Sequence, residues 1–525
     1  CLMSHKLSLI ACLGAAFCLW MQPVQAKKLN IIYIPLDNRP VCSDYVQQTM
    51  EATGCNIIMP PEKFIASSSN NGDPEAIWDW LQNKAPKADA AVISTDSLIY
   101  GGLVASRTHH IPQEVLTARL ERLNALQHKL PIKLYVFSTI MRTPRASFGR
   151  VEPPYYSEFG PAIFAYSELL DKADSRTLPL TEQLTKQALE RNLHHADLGD
   201  WLERRQKNLD VNYELTAMAN NGRFHYLAIG KDDNAPLSAT HLEARKINFR
   251  TFNMDHSVFQ ILPGVDQLGL LLLTRAYNEA HGITPSVYPL YSGGVGAATL
   301  PQYSDVRLQD SVPQQIDAAG AVVAATAAEA DLILALNTPP DGVVRDSTAG
   351  SNQFFASAEN KKFVQTIKNI LDNGAKVSLA DVSYSNGADN GFMDQLTKAG
   401  QLERLTAYNG WNTADNTVGY AISQGLLAAD MSKNSSDDLM RQRIIDDWFY
   451  QSNSRCRISV LLEQYSREDL KYDLGAGEKP ILKEVTSDCN ALAKKYSFTR
   501  NTDFSLSFPW HRLFEVNVNI NSKHK

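Results

Sequence analysis

The chain has 525 residues, 44% of them hydrophobic and 21% charged, with a formal net charge of −6. A mildly acidic chain of this size argues against nucleic acid as a partner, because such partners select a basic face. The apolar share is ample for packed cores, and the length fits two or three domains.

The first 26 residues have the parts of a secretory signal. Lys6 supplies a positive start, Leu7 to Met21 is an uncharged apolar run, and Val24-Gln25-Ala26 places small residues ahead of a cleavage site. The run is short of the roughly 20 residues that cross a bilayer. Cleavage after Ala26 is therefore expected, with an uncleaved anchor or a lipid-modified signal cysteine as alternatives. No later apolar run reaches spanning length, so the mature chain is expected to be periplasmic or secreted, without a membrane span. Cleavage leaves Cys42, Cys55, Cys456 and Cys489. An even number in an oxidising compartment invites disulfides. The sequence-local pairing, Cys42–Cys55 with Cys456–Cys489, is one of three arrangements, and buried free thiols are the alternative.

From Lys28 onward, short β-branched runs alternate with amphipathic helical stretches. Strands are predicted over 30–34, 56–59, 90–94, 133–137, 224–229 and 258–262, with helices such as 112–128 and 266–281. After Gly282 the pattern restarts at 287–290, 321–324, 331–336, 376–380 and 405–408, with a helix over 355–373. This is the βαβ signature of a mainly parallel sheet. About eleven strands are too many for a plain eight-stranded barrel. The expected α/β architecture is two doubly wound domains, 27–282 and 283–430, around a cleft. An elaborated (β/α)8 barrel is the alternative. Residues 431–525 read as a C-terminal cap, with a polar helix at 437–450, a charged helical stretch near 460–471 and an alternating segment at 504–520.

Ligands of parallel sheets bind beyond the carboxyl ends of the strands, where loops converge. Here those loops carry Asp37 and Arg39 after the first strand, Asp96 and Tyr100 after the third, Arg142 after the fourth, and Asp232-Asp233 after the fifth. In the second half, Asn337 and Asp341 follow one strand, Asp381 another, and Asn409-Gly410-Trp411-Asn412 the last. The plainest alternative for Asp37, Asp96 and Asp381 is helix capping. Two adjacent carboxylates at a strand end repel, so one is held ionised while the other keeps its proton longer. That division suits substrate-assisted glycosidases, in which one carboxylate orients an acetamide and the other protonates the leaving oxygen. Trp411, with Tyr100 and Tyr408, would offer an aromatic platform for a sugar ring. Asn409, Asn412 and Asn416 suit hydroxyl or amide recognition. Arg39 and Arg142 would pair with an anionic ligand group or brace Asp37 and Asp96.

Other chemistries have less support. No GxSxG elbow is present. The Gly-rich run 292–296 lacks a phosphate-loop ending, so no cofactor is expected. The histidines fall in no HxH or HExxH spacing, and a metal site is not predicted. A hard-cation site built from Asp37, Asp96 and Asp232 stays open.

Five motifs also point to a family. Pro35-Leu36-Asp37-Asn38-Arg39-Pro40, Tyr100-Gly101-Gly102-Leu103, Pro263-Gly264-Val265-Asp266, Gly410-Trp411-Asn412-Thr413 and Pro509-Trp510-His511-Arg512-Leu513-Phe514-Glu515 together resemble a bacterial family of roughly 500-residue proteins catalogued as a domain of unknown function. The resemblance covers nearly the whole mature chain and implies one functional unit, but it carries no activity. The leading expectation is an exported glycoside hydrolase acting on N-acetylated amino sugars, with Asp232 and Asp233 catalytic. Asp37, Arg39, Asp96, Tyr100, Arg142, Asp381, Trp411 and Asn412 would bind the carbohydrate. A metal-dependent hydrolase of a phosphate, amide or ester and a solute-binding protein are the alternatives.

Overall fold

The structure, a computed structural model, describes residues 28–129, 132–146, 150–193 and 195–521. The expected signal segment lies outside the described residues.

Six runs rich in Ile, Val, Ala and Leu form the first sheet: β1 (Asn30–Ile34), β2 (Asn56–Ile58), β3 (Ala90–Ser94), β4 (Lys133–Ile140), β5 (Tyr226–Lys231) and β6 (Phe259–Pro263). They are covered on both faces, which is why they read as continuous apolar runs instead of alternating ones. Every pairing is parallel, in the order β2-β1-β3-β4-β5-β6. The chain then adds β7 (Ser286–Tyr291), β8 (Val322–Val323), β9 (Leu332–Asn337), β10 (Arg345–Asp346), β11 (Val377–Asp381), β12 (Tyr384–Ser385) and β13 (Ala407–Asn409). Five of these make a second parallel sheet in the order β13-β11-β9-β7-β8. Numbered from its own first strand, this is again the order 2-1-3-4-5. Both sheets are open, so the fold is doubly wound α/β and the barrel alternative does not apply. The small pair β10–β12 extends the loops beyond the second sheet.

The two sheets share one core. A single apolar cluster joins Ile31, Val92 and Leu262 of the first sheet to Leu332, Leu334 and Ala380 of the second. It runs through the helices Leu268–Ala280 and Ala414–Leu427, in which nearly every residue is buried. A helix buried on all sides has no solvent face and must sit between layers. Gly269 and Gly419 make the close approach possible. A Cβ on Gly269 would lie 2.3 Å from the Tyr33 hydroxyl, and one on Gly419 would lie 2.4 Å from the Gln267 side chain.

The C-terminal region packs on the second sheet through Met440, Trp448, Phe449 and Val485. The expected polar helix at 437–450 is a helix Lys433–Arg443 that continues as a π-helical stretch, Ile444–Ser454. The segment 504–520 folds into the antiparallel pair β14 (Phe504–Ser507) and β15 (Asn517–Ile520).

Cys42, Cys55, Cys456 and Cys489, the cysteines among the described residues, are free thiols, so the sequence-local disulfides are not present. Cys42 and Cys55 flank the helix Asp44–Glu51. Its eight residues span about 12 Å, well past the roughly 7 Å between Cα atoms that a disulfide tolerates.

Candidate functional site

The loops after the carboxyl ends of both sheets face one half-open cavity of about 1020 Å3. The first sheet contributes Asp37 and Arg39 after β1, Arg142 after β4, Asp232 and Asp233 after β5, and Asp266 after β6. The second contributes Tyr303 from the β7 loop, Asp346 from β10, and Asn412 and Asn416 after β13. Arg455, Trp510, Arg512 and Phe514 come from the C-terminal region.

Three charge centres organise the floor. In the first, Asp37 Oδ1 accepts both the backbone N–H and the Nε–H of Arg39 at 3.0 Å. The same guanidinium reaches Asp266 at 2.6 Å. The Asn412 and Asn416 amides each lie 3.4 Å from Asp266, which ties the last strand of each sheet to the same carboxylate. Cys42 sits beneath, its thiol 3.6 Å from Asp266. In the second centre, Arg107 donates from Nε at 3.0 Å and Nη2 at 2.6 Å to Asp232. In the third, Arg142 bridges Glu152 at 2.5 Å and Asp233 at 2.7 Å.

The neighbouring carboxylates Asp232 and Asp233 therefore sit in different surroundings. The Asp232 side chain is 5% exposed and that of Asp233 27%. Burial raises the Asp232 carboxyl above the ordinary range. The Asp233 charge adds to that rise, while Arg107 and Arg142 oppose it. Burial also works against the charge on Arg142, but Glu152, Asp233 and Asp232 more than offset it, so its pKa rises.

The backbone around the cavity is strained. Six non-glycine residues among the described ones have a left-handed φ, and Asp233, Tyr303, Asn386 and Asn412 of these line the cavity. Asn tolerates this region, but a tyrosine at φ 66° does not adopt it without cost. Strain of about 1–3 kcal/mol per residue persists only where surrounding structure fixes it, as at ligand sites. Here the Asn234 N–H donates to the Tyr303 carbonyl at 3.0 Å, locking the loop of the carboxylate pair to the loop of the second sheet.

Several expected site residues lie elsewhere. Trp411 is 2% exposed and packs against Phe514 in the shared core; the expected platform of Trp411, Tyr100 and Tyr408 is not formed. Tyr408 is wholly buried, and Tyr100 stacks on His109 with ring centroids 4.8 Å apart. The indole lies within the shared core cluster, and the Trp411 carbonyl accepts the Thr417 hydroxyl at 2.9 Å, which fixes the turn into the following helix. Asp96 accepts from Thr139 at 2.8 Å beneath the cavity floor, and burial pushes it up to about 7. Asp381 accepts from the Asn337 amide at 2.9 Å and from the Asp389 backbone at 2.8 Å, below the loops of the second sheet. Burial, with the charge of Asp389, pushes it up to about 8. Among the described residues no three His, Cys, Asp or Glu side chains are grouped to hold a metal ion, so Asp37, Asp96 and Asp232 do not form a cation cage.

The sequence reading missed Asp266, Tyr303 and Trp510 as site residues. Two of the family motifs contain Asp266 and Trp510, and that was the available signal. The first and last motifs meet here: the Trp510 indole N–H donates to Asn38 at 2.8 Å across 472 residues, and Arg39 lies over the Trp510 ring at 5.6 Å. A family model described as "protein of unknown function (DUF4127)" matches residues 31–519. The chain belongs to this family. Its match spans both sheets and the C-terminal wall of the cavity, so the family unit includes every loop of the site. No curated protein and no solved structure matches the chain. Among the described residues no helix is long and apolar enough to cross a membrane.

Proposed function

We propose that this chain is an exported glycoside hydrolase whose sugar substrate occupies the cavity, with Asp232 as proton donor and Asp233 as orienting carboxylate. The observation that carries the reading is the unequal pair. Asp232 is buried and inclined to keep its proton, while its sequence neighbour is salt-bridged to Arg142 and reaches the cavity. Pairs of titratable groups held in contrasting environments are how acid and base roles are divided at one pH. A proton from Asp232 to the glycosidic oxygen would help the bond break. Asp233 would align an N-acetyl group whose carbonyl oxygen attacks the anomeric carbon, and water would then open the cyclic intermediate. Asn412 and Asn416 supply amide groups suited to hydroxyls, and the exposed Tyr303 ring supplies an apolar face in place of Trp411.

The test is turnover of chromogenic N-acetylglucosaminides, N-acetylgalactosaminides and neutral glycosides by the full mature chain, with and without chelator. Asp232→Asn and Asp233→Asn should each lower kcat/KM by about 10²-fold or more, and chelator should have no effect. Turnover lost only on chelation would replace this reading with the metal-dependent one. Hydrolysis of none of the glycosides would remove it.

A further inference from the structure

Resting on the sugar-directed reading above, we propose that the substrate is an acidic sugar, whose carboxylate, sulfate or phosphate group is taken by Arg455 on a wall of interleaved guanidinium and aromatic groups. Along that wall Arg39 and Arg512 lie over Trp510, with 5.6 and 4.9 Å to the ring centroid, and Arg512 and Arg455 lie over Phe514 at 5.8 and 5.7 Å. All five side chains line the cavity. Stacking on rings holds a guanidinium in place without consuming its N–H donors.

The three arginines differ in what neutralises them. Arg39 is bound by Asp37 and Asp266, and Arg512 is bound through two nitrogens by Glu515. Among the described residues Arg455 has no carboxylate at hydrogen-bond distance. Its acidic neighbour, Asp346, is 3.8 Å away, beyond hydrogen-bond distance. That carboxylate is occupied by the Thr348 backbone at 2.9 Å, the Thr348 hydroxyl at 2.6 Å and the Asn386 amide at 2.7 Å. Arg455 donates instead to the carbonyls of Gln451 at 3.3 Å and Asn386 at 3.1 Å, and its side chain is 12% exposed. Asp346 offers its charge only at that longer distance and without a hydrogen bond, while backbone acceptors and a ring orient the group. A ligand anion would supply the close, hydrogen-bonded charge that Asp346 does not. The planar fork matches carboxylate, sulfate and phosphate oxygens alike, and the flanking rings suit the sugar that carries them.

The experiment is calorimetric titration of the full mature chain with N-acetylglucosamine, N-acetylglucosamine 6-sulfate, N-acetylglucosamine 6-phosphate and glucuronic acid. At least one acidic sugar should bind about ten-fold or more tightly than the neutral one, the gain of a charge-assisted hydrogen bond. The three acidic probes identify which anion is taken. Arg455→Gln should erase the preference, and Arg455→Lys, which keeps the charge without the fork, should retain part of it. Equal binding of neutral and acidic sugars, no binding of any acidic sugar, or a preference unchanged in Arg455→Gln overturns the proposal. If Arg455→Gln does not fold, the wild-type comparison and Arg455→Lys decide the matter. Selective binding of an acidic sugar without any glycoside turnover would sink the hydrolase reading alone. Turnover of neutral and acidic glycosides without preference would sink the acidic-sugar proposal alone.

Discussion

Asp232 and Arg107 are both nearly inaccessible, and each is the principal counter-charge of the other. Breaking such a buried pair from one side leaves an uncompensated charge, which typically costs about 3–5 kcal/mol. Above the raised pKa of Asp232, where the pair is ionised, Arg107→Ala should therefore destabilise the protein by about that amount in denaturant unfolding, and by less at lower pH, where Asp232 holds its proton. A loss that does not grow with pH would show that the ion pair does not dominate the stability of this corner. The same carboxyl sets the expected pH dependence of activity. Because burial raises the Asp232 pKa, the protonated form persists above the usual carboxylate range, and kcat/KM should fall as pH rises through that raised value. Asp232→Asn should lose this alkaline limb. A pH–rate profile with an unchanged limb in the variant would assign it to another group.

At the scale of elements, the motif Tyr100-Gly101-Gly102-Leu103 owes its glycines to crowding. The backbone N–H groups of residues 100–102 all donate to the Asp96 carbonyl at 2.9–3.0 Å, and Gly102 has φ 122°. A Cβ there would lie 2.4 Å from the Ala66 Cβ. Gly102→Ala should destabilise by about 2–4 kcal/mol, combining backbone strain with overpacking; thermal or denaturant unfolding indistinguishable from wild type would refute that account. The strands were legible because apolar runs covered on both faces stand out from their surroundings. The predicted spans 30–34 and 90–94 coincide with β1 and β3, and the others differ mainly at their ends. The two-residue strands β10 and β12 carry no such signal, since Arg345–Asp346 and Tyr384–Ser385 are not apolar runs. The site was legible only in part. Strand ends identified Asp37, Arg39, Arg142, Asp232, Asp233 and Asn412, because sheet topology brings strand ends together. Trp411 misled because a Gly-Trp-Asn turn does not show which way the ring points. Trp510 was passed over because its contact with Asn38 depends on the whole chain folding back.

Across the whole molecule, several buried carboxyls hold protons to unusually high pH. Burial pushes Asp96 and Asp447 to about 7 and Asp381 to about 8, from an ordinary 3.8. Each contributes stability that is full below about pH 4 and is lost as pH rises through the folded value, because the folded state binds more protons than the unfolded chain across that window. His109 acts in the opposite sense. Burial lowers it to about 4, so folding gains as pH rises from there towards its ordinary 6.5. Above that point the carboxyls dominate, and Tm should fall between pH 6.5 and pH 8. A Tm that holds steady or rises over this interval, by scanning calorimetry, would mean that these carboxyls ionise in the folded protein at lower pH. The repeated strand order of the two sheets explains why one cavity collects loops from both halves: each sheet has its own reversal of strand order, and the shared helices set the carboxyl ends facing a common space.

The most direct test of that shared site is a crystal structure of the Asp232→Asn protein soaked with an uncleaved N-acetylglucosaminide. The account predicts density for the sugar in the cavity, touching Asp233 of the first half and at least one of Tyr303, Asn412 or Asn416 of the second. Density confined to another surface, or an empty cavity at a ligand concentration that saturates binding in solution, would contradict it.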